Sequence, residues 1–322
     1  MKRRLALDGL DEHFVAEAWD ADEYRRLVPI PAADANKYSR GYLAVLAGSS
    51  AYPGAAVLAA GGALRSGVGY TRLFVPADIA LPLQMKLPMA PVSACPSRDG
   101  TLSEDACTLL LEGRTPSAFV FGPGVTVTAG TRALGDALLR DVASPCVVDA
   151  DGLNALSTSE PMRASCAHRL SVTVLTPHVG EMRRLLSACR LATSDAALER
   201  DDERVRLSCT LSETLSAVVV LKGPRTVVAS GERAVICEIG TPVLATAGTG
   251  DVLAGMVGAF LAQGLPAMQA AALGVYLHAC AGRAAAAHNG PVSVVATDVV
   301  ASLPEAVCSL LDPAERPSGR WA

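Results

Sequence analysis

The sequence predicts an α/β fold: one unit with a largely parallel sheet and helices on both of its faces. Three observations lead there. Apolar strand-like runs, turn residues and helix-like stretches alternate along most of the 322 residues, the order expected when a crossover helix follows each strand. Ala217–Leu221 is almost purely β-branched with no polar alternation, so it needs cover on both faces, as strands of a parallel sheet do. Half of the residues are apolar and only 4% aromatic, which suits a close-packed α/β core better than an all-β sandwich or a disordered chain.

Taken in order, residues 1–36 read as a charged lead-in with one or two short helices, and 37–322 as a single domain. Tyr42–Ala47 is a strand, Gly48-Ser49-Ser50 its turn, and a helix runs from about Gly54 to Arg65. Val68–Val75 is the next strand. Ser117–Phe121 ends in Gly122-Pro123-Gly124 and leads to a helix from about Thr128. Cys146–Asp149 and Val172–Leu175 are short buried runs that end in polar residues, and Ala192–Glu203 is a polar surface segment. After Ala217–Leu221, Arg225–Ala229 and Arg233–Ile239 alternate like a hairpin around Ser230-Gly231-Glu232. Val252–Gly282 contains no Asp, Glu, Lys or Arg, but Gly264-Leu265-Pro266 interrupts it and Gln263, Gln269 and His278 lie inside. Two consecutive buried helices explain it better than a membrane span. A last helix starts at about Thr297.

Composition removes several classes of function. A net charge of −4 with no basic stripe makes nucleic acid and acidic membrane surfaces poor partners. The nine cysteines are scattered, odd in number and without CxxC spacing. That argues against a disulfide scaffold or a zinc site and for a reducing cytoplasm. Met1-Lys2-Arg3-Arg4 resembles the start of a signal peptide, but Asp8, Asp11 and Glu12 interrupt any apolar stretch behind it.

In a sheet of this kind ligands bind where the strands end. Six such ends are polar or glycine-rich: Gly48-Ser49-Ser50, Gly122-Pro123-Gly124, Asp149-Ala150-Asp151-Gly152, Thr176-Pro177-His178, Lys222-Gly223-Pro224 and the loop Ala245–Asp251. In the last, Gly248-Thr249-Gly250-Asp251 leads straight into a helix pattern, so backbone N–H groups and the helix dipole suit an anion. Anionic phosphate would repel Asp251, which therefore reads either as a base taking a proton from an attacking hydroxyl or as a plain helix cap. Neither GxxxxGK[ST] nor a GxGxxG fingerprint occurs. Lys222-Gly223-Pro224-Arg225-Thr226 can assist with phosphate, or be a solvated hairpin entrance. His178 faces a ligand cleft or is a helix-entry residue followed by an acidic first turn at Glu181. Asp149 and Asp151 reach a metal or a ribose, or make an ordinary turn. His13, His168, His278 and His288 form no ligand-spaced pair and read as surface or packing residues. Use of a di- or triphosphate implies a divalent cation, whose ligands the sequence leaves unknown.

Six motifs stand in a characteristic order: Gly48-Ser49-Ser50-Ala51-Tyr52-Pro53-Gly54-Ala55, Phe121-Gly122-Pro123-Gly124, Asp149-Ala150-Asp151-Gly152-Leu153-Asn154, Thr176-Pro177-His178-Val179-Gly180-Glu181-Met182, Leu221-Lys222-Gly223 and Ala247-Gly248-Thr249-Gly250-Asp251-Val252-Leu253-Ala254-Gly255. In this order the chain resembles the ADP/ATP-dependent NAD(P)H-hydrate dehydratases of the ribokinase-like superfamily, from about Lys37 to about Leu311. The resemblance implies a three-layer ribokinase-like sandwich and a metabolite-repair lyase. It would phosphorylate the ring hydroxyl of NADH-hydrate or NADPH-hydrate from ADP or ATP with Mg²⁺, then eliminate phosphate. By motif position Asp251 is the catalytic base. Ala55, Gly124, His178 and Asp251 contact the hydrated dinucleotide. Lys222, Gly223, Pro224, Arg225, Thr226, Gly248, Thr249 and Gly250 hold the nucleotide. The family's frequent glycine is Ala247 here, and the loop is expected to tolerate one methyl group. The resemblance also implies a homo-oligomer, often a tetramer. With only 36 residues ahead of the match, the epimerase is expected to be a separate chain. The alternative function on the same fold is a small-molecule kinase acting on a hydroxyalkyl heterocycle or a sugar. A non-catalytic nucleotide sensor has no use for Asp251.

Overall fold

The computed structural model describes residues 1–194 and 196–311. Its lead-in departs from the sequence expectation. It forms one short helix, α1 (Ala21–Arg25), and two strands, β1 (Lys2–Arg4) and β2 (Val15–Trp19). Val15-Ala16-Glu17-Ala18-Trp19 alternates, which buries Ala16 and Ala18 and leaves Glu17 on the other face to meet Arg233 at 3.2 Å. Short-range alternation of small residues is a weak signal, and an edge strand draws its stability from the neighbour it pairs with. Leu5, Leu7 and Leu10 pack against the core, so the lead-in is built into the fold.

The rest alternates as expected. β3 (Tyr42–Leu46), α2 (Pro53–Arg65), β4 (Tyr70–Pro76), α3 (Ala77–Lys86) and β5 (Val92–Cys95) come first. A small hairpin, β6 (Ser97–Arg98) and β7 (Thr101–Leu102), precedes α4 (Asp105–Leu111) and β8 (Ala118–Phe121). α5 (Ala129–Asp141) begins where the Thr128 side chain accepts a hydrogen bond from the Thr131 N–H at 3.1 Å. Then follow β9 (Cys146–Val148), α6 (Asp151–Thr158), α7 (Glu160–His168), β10 (Thr173–Leu175), α8 (Val179–Ala188) and α9 (Asp201–Leu215). The segment expected to be polar surface, Ala192–Glu203, is partly ordered into a 3-10 turn and the start of α9; its Asp195 lies outside the described residues. The chain closes with β11 (Ala217–Leu221), β12 (Thr226–Ser230), β13 (Arg233–Cys237), α10 (Thr249–Ala262), α11 (Ala267–Asn289) and α12 (Ala296–Leu310).

Eleven strands make one sheet in the order β1-β2-β13-β12-β11-β10-β9-β8-β3-β4-β5. From β11 to β5 every pair is parallel. β11 is therefore parallel to β10 on one side, as expected, but antiparallel to β12 on the other, where the hairpin folds back. Helices α2 and α10–α12 cover one face and α4–α9 the other, giving two apolar layers around the sheet. The uncharged stretch is the pair α10 and α11, broken at Gly264 (φ +91°). Among the described residues no helix is long and apolar enough to cross a membrane.

α2 and α10 approach unusually closely. A Cβ on Gly62 would lie 2.3 Å from the Val252 carbonyl oxygen, and one on Gly255 would lie 1.9 Å from that of Ala59. Glycine at both points lets the two backbones touch, which fixes the separation of the helices.

Candidate functional site

Because β3, β8, β9, β10 and β11 run parallel, their C-terminal ends share one edge of the sheet. Backbone bonds extend the ladder past the strands: Gly48 N–H to Pro123 O at 2.8 Å, Asp149 N–H to Phe121 O at 3.1 Å, and Lys222 N–H to Pro177 O at 2.8 Å. The convergence expected of the polar strand ends is thus physically present.

At the centre lies a charge cluster. Asp149 is 1% exposed, and its Oδ1 accepts hydrogen bonds from the Thr176 hydroxyl at 2.7 Å and the Lys222 ammonium at 2.9 Å. A buried carboxyl group needs such partners to offset its lost contact with water. Lys222 also stands 3.9 Å from Glu181 Oε2. Burial pushes the ammonium down, but Asp149, Glu181 and Asp251 outweigh it and hold Lys222 above its ordinary value. Glu181 is buried, which pushes it up to about 7 against the opposing pull of Lys222. Asp251 too is pushed up to about 7, by burial first and the charge of Asp149 next, again opposed by Lys222.

Asp251 sits in the first turn of α10. The helix is entered through Gly248 at φ +88°, where a Cβ would lie 2.4 Å from the Leu58 side chain. The left-handed residue is Gly248 and not Ala247, so the methyl group at 247 meets no backbone penalty. First-turn N–H groups have no carbonyl one turn earlier within the helix, so those of Gly250 and Asp251 are available to an anion. A Cβ on Gly250 would lie 3.3 Å from Lys222 Nζ and 3.9 Å from Asp149 Oδ2. The charge cluster therefore abuts the helix start directly.

His178 caps α8. Its Nδ1 accepts from the N–H groups of Gly180 at 2.9 Å and Glu181 at 3.4 Å, and its own N–H donates to Glu181 Oε2 at 2.8 Å. Burial, then the nearby Lys222 charge, lowers its pKa. A neutral ring that accepts at Nδ1 carries its proton on Nε2, which lies 3.4 Å from Glu181 Oε1. Ala55 and Gly124 touch each other: a Cβ on Gly124 (φ +65°) would lie 2.6 Å from that of Ala55. Beside them the Thr126 N–H donates to Asp151 Oδ2 at 3.0 Å, and the Asp151 charge in turn helps raise Asp251.

A cavity of about 530 Å³ opens beside the cluster, lined by His178, Lys222, Gly223, Pro224, Thr226, Thr249 and Gly250, with Leu244, Leu253 and Val275 on its apolar wall. Of the residues expected to hold a nucleotide, Arg225 and Gly248 are not on this lining. Arg225 turns its guanidinium to Asp201 at 2.8 Å and Glu238 at 3.1 Å. Gly248 serves as the turn. The sequence reading weighed Asp149 as a metal or ribose ligand and Glu181 as a first-turn acid, and missed that both are partners of Lys222. His278, taken as packing, lines the cavity. Its signal was that it is the one histidine inside the stretch Val252–Gly282, which holds no Asp, Glu, Lys or Arg. Among the described residues no three His, Cys, Asp or Glu side chains are grouped to hold a metal ion by themselves.

Comparison with known proteins gives a consistent set of likenesses. The family model described as Carb_kinase, NAD(P)H-hydrate dehydratase, matches residues 43–305. The Bifunctional NAD(P)H-hydrate repair enzyme Nnr of Salinibacter ruber is 39% identical over 294 residues, 90% of this chain and 52% of that protein. The ADP-dependent (S)-NAD(P)H-hydrate dehydratase of Xanthomonas campestris pv. campestris is 31% identical over 281 residues, 87% of this chain and 92% of that one. The ADP/ATP-dependent NAD(P)H-hydrate dehydratase of Bacillus subtilis, co-crystallised with ATP and Mg²⁺, matches with a TM-score of 0.76 at 27% identity, covering 91% of this chain and 98% of that one. The chain spans about half the length of the bifunctional relatives.

Proposed function

The chain belongs to the NAD(P)H-hydrate dehydratase family, and from that premise we propose that it restores NAD(P)H from (6S)-NAD(P)H-hydrate at the expense of ADP or ATP. The observation that carries the proposal is Asp251. It is a carboxyl group held near pKa 7, at a helix start whose free N–H groups suit phosphate, beside a cavity of nucleotide size. A base tuned near neutral pH takes a proton well at neutral pH.

In this reading Asp251 removes the proton of the ring hydroxyl as its oxygen attacks the terminal phosphorus. The N–H groups of Gly250 and Asp251 steady the charge on the transferred group. Phosphate is then a good leaving group: the ring nitrogen's lone pair expels it, and loss of a neighbouring C–H proton restores the dihydropyridine. His178, Ala55 and Gly124 line the dinucleotide side, where small residues allow close backbone approach. Lys222, Gly223, Pro224, Thr226, Thr249 and Gly250 line the nucleotide side. Magnesium bound through nucleotide phosphates and water needs only one or two protein carboxylates. Asp149 and Glu181 fit that need, being oxygen donors gathered at the phosphate end. Bound there, the ion would neutralise phosphate charge. The reading extends to a homotetramer in the cytoplasm. The relatives named as bifunctional repair enzymes support a companion activity, which we assign to a separate NAD(P)H-hydrate epimerase.

The test is absorbance at the reduced-nicotinamide band with NADH-hydrate, Mg²⁺ and either ADP or ATP. A rise that requires nucleotide is the expected result, and the faster nucleotide is the donor. Nucleotide binding without any rise would overturn the proposal in favour of a small-molecule kinase releasing a phosphorylated product.

A further inference from the structure

The cavity has a polar group that the reaction above leaves unused. His278 of α11 is 6% exposed yet lines the cavity, and its Nε2 has no hydrogen-bond partner among the described residues. Buried polar atoms are rarely left so, and each one calls for a physical reason. The Thr249 backbone beside the ring favours its protonated form. The ring is nonetheless neutral, because burial pushes it down to about 4. A neutral imidazole that donates through one nitrogen offers the other as a bare acceptor. What it lacks is a donor.

The position of the ring selects the donor. On one side it rests on Thr249, next to Gly250 and the phosphate end of the cavity. Three residues before it on α11 and one after it, Val275 and Ala279 form part of the apolar wall, on which a planar base can lie. Between the phosphates and the base of a nucleotide stands the ribose, whose hydroxyls are donors. We propose that His278 Nε2 accepts a hydrogen bond from a ribose hydroxyl of the bound nucleotide, making His278 the residue that prefers ribonucleotides to deoxyribonucleotides. This rests on the nucleotide-dependent reading given above and adds a specificity to it.

The test is calorimetric binding of ADP, 2′-deoxy-ADP and 3′-deoxy-ADP, with Mg²⁺, to the wild-type protein and to His278→Leu and His278→Gln. The wild-type protein is expected to bind one deoxy analogue about tenfold more weakly than ADP, the scale of one net hydrogen bond. In His278→Leu, ADP should fall to the level of that analogue while the analogue itself is little changed. His278→Gln, which keeps an acceptor, should recover part of the preference, and it decides the matter if the leucine variant does not fold. Equal binding of all three ligands by the wild-type protein, or equal weakening of all three in the variants, overturns the inference while leaving the nucleotide reading intact. A wild-type protein that binds neither ADP nor ATP takes both down.

Discussion

Replacing Asp251 with Asn should abolish turnover and at the same time stabilise the fold. The carboxyl group stands near 7 where an ordinary aspartate stands at 3.8, and each tenfold change in proton affinity is about 1.4 kcal/mol. An ionised Asp251 would thus cost the folded state about 4 kcal/mol at pH 8; its partial exposure and the screening that follows reduce this to about 2–4 kcal/mol. The sign follows from the direction of the shift. An acid whose folded pKa is raised imposes nothing below its unfolded pKa and an increasing penalty as pH rises to the folded value. Asp251→Asn should therefore melt close to wild type near pH 4, pull ahead between pH 5 and 7, and hold a constant lead above pH 8. For a chain of this size that lead is about 4–8 °C. Thermal melts of both proteins across pH 4–9, in the absence of nucleotide, measure it. A variant that melts lower than wild type at pH 8, or a lead that does not change with pH, would refute the claim that burial and Asp149 hold this carboxyl group up. Retained turnover would refute its role as base.

The same shift predicts that wild-type kcat/KM climbs with pH through a limb centred near 7, where Asp251 loses its proton; a limb centred near 4 would contradict it. Lys222→Met leaves Asp149, 1% exposed, without its ammonium partner, so chemical denaturation should show a loss of about 3–5 kcal/mol. In whatever fraction still folds, the rising limb should move to higher pH, because the cation that opposes the rise in Asp251 is gone. Gly255→Ala drives a methyl group to 1.9 Å from the Ala59 carbonyl oxygen, and should cost about 3 kcal/mol or more. Gly54→Ala on α2, with nothing within 4 Å, should fall within about 1 kcal/mol of wild type; equal losses in the two would remove the helix-contact argument.

Much of the architecture was legible because parallel strands announce themselves. Ala217–Leu221 and Tyr42–Leu46 are uninterrupted apolar runs, and every residue in them is buried. The polar tips that follow such runs had to gather on one edge. What could not be read was the pairing between tips. Asp149 and Lys222 are 73 residues apart, and nothing local distinguishes a lysine that holds a buried carboxylate from one at a solvated hairpin. Arg225, three residues on, has the opposite fate and faces two surface acids. The lead-in strands were missed because Val15–Trp19 gains its conformation from β13, a partner more than two hundred residues away, and Lys2–Arg4 in turn pairs with Val15–Trp19. His278 was hidden by its surroundings: amid alanine and leucine, a buried ring looks like filler until the hollow in front of it is known.

The contact between α2 and α10 has a mechanical consequence. The first of these helices begins beside Ala55 and the second beside Asp251, and glycines at 62 and 255 bring backbone against backbone between them. Side chains can swivel to take up slack, whereas two main chains in van der Waals contact have none to give. The span between Ala55 and Asp251 is therefore set like the jaws of a locked calliper. Any ligand that reaches both is gauged against a fixed gap, and any opening or closing there has to come from the loops around it.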